Sequence, residues 1–136
     1  YTLASIVEEE TLKSDEKPVI ASVYLNRLRR NMPLGADPTV KFAVGDFSLK
    51  RILFVHINST AASPYNTYKN KGLPPGPICT PQASTIDAVL RPANTNYLFF
   101  CAQPGGTGRH AFAATDAEHL QNARAYQEWL NKRGIR

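Results

Sequence analysis

The sequence has few of the residues that mark a metal-bound or disulfide-stapled protein. It contains only two cysteines, Cys79 and Cys101, which stand far apart and not in the paired spacing of a zinc site. A disulfide between them would require close approach of their backbones, which the sequence leaves open. We expect Cys101, in the apolar run 97–102, to pack as a small hydrophobic residue.

Long apolar runs are also missing. No stretch approaches the roughly 20 residues that a helix needs to cross a bilayer, and no signal peptide heads the chain. The chain begins with Tyr1 and not with methionine. We therefore expect residues 1–136 to be a single domain excised from a longer protein, with any targeting segment or membrane anchor upstream.

The excess of charge is small, with a formal net charge of +5. A basic surface favours polyanions, so nucleic acid, anionic lipid and an acidic carbohydrate polymer all stay open. Neither a zinc-finger spacing nor the aromatic pattern of an RNA-recognition motif is present, which argues against nucleic acid. The basic residues gather in two places, Arg27, Arg29 and Arg30, then Lys69 and Lys71.

Several catalytic motifs are absent as well. The three histidines, His56, His110 and His119, are scattered, and no Gly-x-Ser-x-Gly elbow occurs, so we expect neither a metal nor a cofactor. The glycines of 104–108 lack the lysine and hydroxyl of a P-loop and favour a turn. His110 follows that turn and points either into a cleft or into the structure, whereas His119 is expected on the solvated face of its helix.

Three consecutive glutamates, Glu8, Glu9 and Glu10, are the most informative residues present. At 100° per helical residue, Glu10 shares the side of the apolar residues Leu3, Ile6 and Val7, Glu8 lies at its border, and Glu9 faces away. Desolvation raises the pKa of a carboxyl group, so that it can carry a proton near neutral pH as a general acid. The alternative is a solvated acidic face.

The pattern predicts an α+β domain that is mostly helical, with one small antiparallel hairpin and long ordered loops. Helices are expected over 2–11, from caps at Ser14 or Asp15 to about Arg30, and over 40–44 after Asp37-Pro38-Thr39. Strands are expected over 97–102 and 109–113 around the glycine-rich turn. The segment 32–78 is otherwise irregular, which is typical of functional loops.

Two later helices have recognisable beginnings. Thr80 and Pro81 predict that the first of these helices starts there, with Thr80 as its cap and Pro81 at its first position. Thr115 and Glu118 form a capping box at the start of the second helix, which we expect to end at Gly134. The predicted buried faces are Ala83, Ile86, Val89 and Leu90 in the first helix, and Leu120, Ala123, Tyr126 and Leu130 in the second.

Prolines make 63–68 and 72–77 stiff, shaped loops. Within the first, Tyr65, Asn66 and Tyr68 combine flat apolar faces, polar tips and an amide, a mixture suited to holding sugar rings. The alternative is a loop packed by its own aromatic residues.

Six blocks in order along nearly the whole chain resemble the catalytic domain of the endolytic murein transglycosylases, the MltG or YceG-like family. They are Ala4-Ser5-Ile6-Val7-Glu8-Glu9-Glu10-Thr11, Asn26-Arg27-Leu28, Asp37-Pro38-Thr39, Ser63-Pro64-Tyr65-Asn66-Thr67-Tyr68, Gly72-Leu73-Pro74-Pro75-Gly76-Pro77-Ile78 and Gly108-Arg109-His110-Ala111-Phe112. Two positions depart from the family pattern: Glu9 replaces a usual lysine, and Gly35-Ala36 precede Asp37 where a glutamine is common.

The resemblance implies cleavage, without water, of the β-1,4 bond between N-acetylmuramic acid and N-acetylglucosamine, which leaves a 1,6-anhydro end. It further implies a bacterial protein anchored in the inner membrane by an upstream segment and acting on peptidoglycan strands at the periplasmic face, beside peptidoglycan synthases. It assigns the catalytic glutamate to Glu8, which we expect to act as general acid and then as base. Glu10, two positions away on the same helix, cannot easily face Glu8 across a sugar ring, so we expect it to have a supporting role.

We expect four loop residues to hold the sugar and orient Glu8, with three more behind them and one at the rim of the cleft. These are Tyr65, Asn66, Thr67 and Tyr68, then Asn26, Asp37 and Thr39, and finally His110. We expect the basic clusters to meet carboxylates of the lactyl and peptide groups. A hydrolytic muramidase and a glycan-binding module without turnover are the alternative functions.

Overall fold

The structure, a computed structural model that describes residues 1–134, confirms the predicted α+β class. Its described part contains six helices and one two-stranded sheet. In chain order these are α1 (Thr2–Glu10), α2 (Lys17–Arg29), α3 (Asp37–Val44), α4 (Phe54–Ser59), α5 (Ala83–Leu90), β1 (Phe99–Ala102), β2 (His110–Ala113) and α6 (Asp116–Lys132). Within residues 1–134, no helix has both the length and the apolar character that crossing a bilayer takes.

The core forms around α1, which contacts α2, α3 and α5. Ile6 and Val7 are fully buried, as the helical spacing predicts, and they pack with Ile20 and Tyr24 of α2. Burying one such aliphatic side chain contributes about 1.5–3 kcal/mol. Because both faces of this short helix pack against other elements, Glu8 and Glu10 contact different parts of the molecule.

The hairpin covers one side of this core. Strands β1 and β2 pair antiparallel, with Phe100 opposite Phe112, and the ring of Phe100 meets Tyr24 edge-on at 5.8 Å. On the other face of β1, Phe99 stacks on His119 of α6 with 5.0 Å between ring centroids. The hairpin therefore lies between the core and the last helix.

Helix α5 differs from its prediction. It begins at Ala83 and not at Pro81, and the residues it buries are Thr85 and Ala88, whereas Leu90 is 73% exposed. Thr85 is drawn inward because its hydroxyl bonds two charged side chains described below. The predicted apolar stripe is right at Val89, which is half-buried and packs against the core, and wrong at Ala83 and Leu90, which are exposed. A buried polar cluster, in addition to apolar side chains, orients this helix.

Helix α6 buries Leu130 and half-buries Ala123 and Tyr126, as predicted. Thr115 caps it, with the Glu118 N–H donating to Thr115 Oγ1 at 3.3 Å as expected, but Leu120 is 55% exposed. His119 faces β1 in place of the solvent, because stacking on Phe99 covers its ring. The prediction of a solvated His119 is therefore wrong.

The start of α2 also differs. The N-cap residue of α2 is Glu16, whose side chain makes no capping hydrogen bond, so neither Ser14 nor Asp15 caps the helix. Asp15 instead accepts a hydrogen bond from Arg109 Nη1 at 2.8 Å. Helix α4, in the segment expected to be irregular, buries none of its residues.

Candidate active site

A cleft of about 130 Å³ opens where α1, α2, the start of α3 and β1 meet. It combines carboxyl groups, aromatic rings, a guanidinium group and apolar walls, which is the composition of a ligand site. Its lining residues are Glu10, Val23, Tyr24, Arg27, Leu34, Gly35, Asp37, Tyr68, Leu98, Phe99 and Phe100.

Glu10 is the acidic residue at the head of this cleft. Its Oε2 accepts a hydrogen bond from the Tyr24 hydroxyl at 2.6 Å, and Tyr24 is only 2% exposed. Burial raises the pKa of Glu10 to about 7; the charge of Asp37 adds to this, while the Tyr24 hydrogen bond and Lys41 oppose it. At neutral pH Glu10 is therefore protonated in some molecules and a carboxylate in others. A residue that donates a proton and then accepts one needs access to both forms.

Asp37 and Tyr68 form a pair on the opposite wall. The Tyr68 hydroxyl donates to Asp37 Oδ1. Burial raises the pKa of Asp37 despite that bond and the nearby Lys41, and burial together with Asp37 raises the pKa of Tyr68. The cleft thus holds a second carboxyl group, fixed by a phenol.

Arg27 supplies the positive charge of the cleft. Its Nε donates to the Leu98 carbonyl at 2.7 Å and its Nη1 to the Pro33 carbonyl at 2.9 Å. Its guanidinium also lies 5.1 Å from the centroid of the Phe99 ring. Burial lowers the pKa of Arg27, while the nearby Tyr24 and Tyr68 oppose that shift. Arg27 therefore holds β1 against the loop before α3 and gives the cleft its shape.

Glu8 lies elsewhere, about 200° around α1 from Glu10. Its Oε1 accepts hydrogen bonds from the Gln82 N–H at 2.9 Å and from the Thr85 hydroxyl at 2.7 Å, and Lys17 Nζ lies 3.8 Å from Oε2. Burial acts to raise the pKa of Glu8, but these two hydrogen bonds and Lys17 outweigh it, so that the pKa is lowered. Of these two glutamates, Glu10 has the raised pKa and Glu8 the lowered one; the general-acid role of Glu8 stays a prediction.

The 63–68 loop is divided between surface and interior. Asn66 and Thr67 are 0% and 1% exposed. Asn66 Nδ2 donates to the Ile57 carbonyl at 2.9 Å, and its Oδ1 accepts from the Tyr68 N–H at 2.9 Å. Thr67 Oγ1 accepts from the Ala36 N–H at 2.8 Å. Neither side chain is free to hold a sugar directly, in contrast to the expectation; both fix the loop that presents Tyr68.

Two other predicted residues are also engaged within the protein. Thr39 is fully buried, and its hydroxyl lies 2.9 Å from that of Thr67. Asn26 Nδ2 donates to the Thr95 and Tyr97 carbonyls at 3.0 and 2.9 Å. These bonds support the walls of the cleft from behind, as expected of Asn26 and Thr39.

His110 and Tyr65 lie outside the lining of the cleft. His110 Nδ1 lies 2.9 Å from Glu16 Oε1, and the His110 N–H donates to Glu16 Oε2 at 2.7 Å. Burial tends to raise the pKa of Glu16, but these His110 bonds lower it. Tyr65 packs on Phe42 with 4.7 Å between ring centroids. His110 is thus structural at this site and not at its rim.

Tyr24 lines the cleft, but the sequence analysis gave it no functional role. A buried tyrosine needs a partner for its hydroxyl, and that requirement was the available signal. Arg27 also lines the cleft; the sequence analysis placed it with Arg29 and Arg30 in a basic cluster expected to meet substrate carboxylates. Both cysteines are free, and within residues 1–134 no group of three potential ligands is arranged for a metal.

Comparison with known proteins connects this geometry to a family. The model of the YceG-like family matches residues 1–125. An endolytic murein transglycosylase of Bacillus subtilis is 41% identical over 132 residues, which cover 97% of this chain and 35% of the relative. One from Streptococcus pneumoniae D39 is 35% identical over 123 residues, 89% of this chain and 22% of the relative.

A solved structure agrees with these sequence matches. The crystal structure of a YceG-like protein from Listeria monocytogenes superposes with a TM-score of 0.80 and 40% identity, over 88% of this chain and 38% of that chain. The chain therefore spans about a third or less of the length of the curated relatives it matches. The family model covers most of the sequence, and the chain belongs to the YceG-like family.

Proposed function

We propose that this chain is the catalytic domain of an endolytic peptidoglycan lytic transglycosylase, with Glu10 as its general acid and base. The observation that carries the proposal is a glutamate whose pKa is raised to about 7, bonded to a buried tyrosine, at the head of an open cleft. The names of the Bacillus and Streptococcus relatives support the reaction class.

In the first step Glu10 protonates the oxygen that links N-acetylmuramic acid to N-acetylglucosamine. Because the Tyr24 hydroxyl already donates to Oε2, that oxygen is stabilised as an acceptor and Oε1 is left to carry the proton. A positioned general acid contributes about 10²–10⁴-fold to such a bond cleavage.

In the second step the Glu10 carboxylate accepts a proton from the 6-hydroxyl of the muramyl sugar, whose oxygen closes on its own anomeric carbon. The nucleophile belongs to the substrate, so its loss of entropy is small and no activated water is required. The Tyr24 hydrogen bond stabilises the carboxylate formed in the first step. One carboxyl group with a pKa near 7 is therefore sufficient for both transfers.

The remaining lining residues bind and orient the sugar in this proposal. Tyr68 and the rings of β1 offer flat apolar surface, and Asp37 offers a hydrogen-bond acceptor to sugar hydroxyls. Arg27 gives the cleft a cation that suits the lactyl carboxylate of muramic acid. Asn26, Thr39, Asn66 and Thr67 act from behind by holding these walls.

Glu8 has a structural role in this proposal, because it bonds the first turn of α5. The test is digestion of purified peptidoglycan by wild type and by the variants Glu10→Gln and Glu8→Gln, with the products separated by mass. We expect Glu10→Gln to lose at least about 100-fold of the anhydro product, and Glu8→Gln to keep turnover in proportion to its folded fraction. The reverse result, with both variants folded, would return the catalytic role to Glu8.

Hydrolysis is the second candidate, and Asp37 is the observation that favours it. A hydrolase normally needs a second carboxylate near the sugar, and Asp37 lines the same cleft as Glu10. A reducing muramic end, lost in Asp37→Asn, would identify hydrolysis. A 1,6-anhydro end supports the transglycosylase. A folded protein that binds glycan strands without any product would instead be a binding module.

The same proposal assigns a location and partners. Glycan strands of peptidoglycan are the substrate, and the site of action is the cell envelope, at the periplasmic face of the inner membrane, through an anchor upstream of this domain. Peptidoglycan synthases, which make those strands, are proposed partners. Fractionation of the intact protein and its co-purification with a synthase test these two points.

A further inference from the structure

The surface around α4 exposes more large apolar side chains than the fold requires. Leu53, Phe54 and Val55 are 51%, 84% and 63% exposed, and the neighbouring Val44 and Phe47 are 39% and 43% exposed. Helix α4 buries none of its residues. We call Val44, Phe47, Leu53, Phe54 and Val55 the α4 patch; a contiguous apolar surface of this kind marks an interaction site.

The α4 patch is connected to the cleft through α3. Helices α3 and α4 contact each other, and the Phe47 ring lies 6.3 Å from that of Phe42, which packs on Tyr65. Helix α3 therefore carries the patch at its last residue, Val44, and the cleft residue Asp37 at its first.

The charges within the patch are mainly positive. Lys50 and Arg51 are exposed between Phe47 and Leu53. The single acidic residue of 41–59 is Asp46, whose Oδ1 already accepts the Ser48 N–H at 2.9 Å. A surface of exposed Phe, Leu and Val around Lys and Arg is complementary to a layer with an apolar interior and anionic groups at its surface.

We propose that the α4 patch inserts into the surface of an anionic lipid bilayer. Interfacial helices have this composition, with apolar side chains at the acyl boundary and Lys or Arg among anionic headgroups. This contact is separate from any membrane anchor upstream and does not depend on the reaction proposed above. In this proposal Asn66 connects the membrane contact to the cleft, because its amide bonds both the Ile57 carbonyl of α4 and the N–H of Tyr68.

The test is co-sedimentation of the 136-residue chain with vesicles of equal parts phosphatidylglycerol and phosphatidylcholine, compared with phosphatidylcholine alone. We expect binding to the anionic vesicles only, weakened by salt. The double variant Phe54→Ser and Val55→Ser should lower the vesicle partition coefficient about tenfold or more, and Lys50→Gln with Arg51→Gln should lower it at low salt. All these side chains are exposed, so the fold is retained.

A matched control is Leu90→Ser, which removes a 73% exposed leucine at the end of α5, outside the patch; it should bind as wild type. Equal binding to both kinds of vesicle, no binding to either, or unchanged binding of the Phe54 and Val55 variant would each overturn the proposal. So would a dimer in light scattering that the same variant abolishes, because the patch would then pair with a second copy.

Discussion

Replacing Glu10 by glutamine should make the protein more stable at alkaline pH. The folded pKa of about 7 lies above the ordinary value of 4.5, so the folded state keeps the Glu10 proton where the unfolded state releases it. The free energy of unfolding of the wild type therefore falls as pH rises from 4.5 through about 7. Each pKa unit corresponds to about 1.4 kcal/mol, so the loss reaches about 3 kcal/mol above pH 8.

Glutamine lacks this titration and can still accept the Tyr24 hydroxyl bond. Urea unfolding followed by circular dichroism should therefore show Glu10→Gln about 3 kcal/mol more stable than wild type at about pH 8.5, and equal to it near pH 4. The matched control is Glu9→Gln, an exposed neighbour on the same helix, which should follow the wild type at both pH values. A difference between Glu10→Gln and wild type that is independent of pH would refute the argument that Glu10 is held as an acid.

Three further outcomes follow from the same contacts. Glu8→Gln should unfold about 1–3 kcal/mol more easily at pH 7; because the folded pKa of Glu8 is lowered, its deficit in urea unfolding should shrink as pH falls through 4.5. Asn66→Ala should cost about 2–3 kcal/mol in the same assay, since it strands buried partners on both sides of the amide. Tyr24→Phe removes a bond that favours the Glu10 carboxylate, so the decline of glycan cleavage with rising pH should move to higher pH; an unmoved profile would separate Tyr24 from the reacting acid.

Helical geometry alone predicted which glutamate of α1 is buried. The 100° rule assigned Glu10 to the side of Leu3, Ile6 and Val7, and that is the side facing Tyr24. The general-acid role was assigned to Glu8 through the family resemblance, which carries the identity of a motif but not the direction in which each side chain points. The role that we propose for Glu10 follows the local physical argument.

The polar residues of the 63–68 loop illustrate a limit of sequence reasoning. An asparagine and two tyrosines in a stiff loop suit a sugar site, and Tyr68 does line the cleft. Asn66 has the same local appearance, yet its side chain is buried against Ile57 and the loop backbone. A loop without regular structure must satisfy its own backbone groups, and which polar side chains do so depends on a neighbour, α4, that the sequence did not predict.

The prediction that Leu90 of α5 is buried was wrong for a related reason. Its apolar periodicity predicted Leu90 inside, whereas the buried residue is Thr85, bonded to Glu8 and to Lys17 Nζ at 2.7 Å. Burying Lys17, which is 5% exposed, is costly unless its charge is paired and its donors are satisfied. The requirement to satisfy Lys17 from α1 and α5 outweighs the small gain from burying one more leucine, and periodicity does not contain that information.

The two charged positions of α1 together explain why the motif needs both glutamates. Glu8 bonds α5 and Lys17, which fixes the rotation of α1 about its axis. That rotation directs Glu10 at Tyr24 and into the cleft, where burial makes its carboxylate costly. The bonds of Glu8 on one side of α1 stabilise the fold, and they thereby hold the Glu10 carboxyl group in its unfavourable buried position on the other side. Loss of Glu8 should therefore reduce cleavage only in proportion to the protein that unfolds, with a pH profile of unchanged shape, whereas loss of Glu10 removes the titrating group itself.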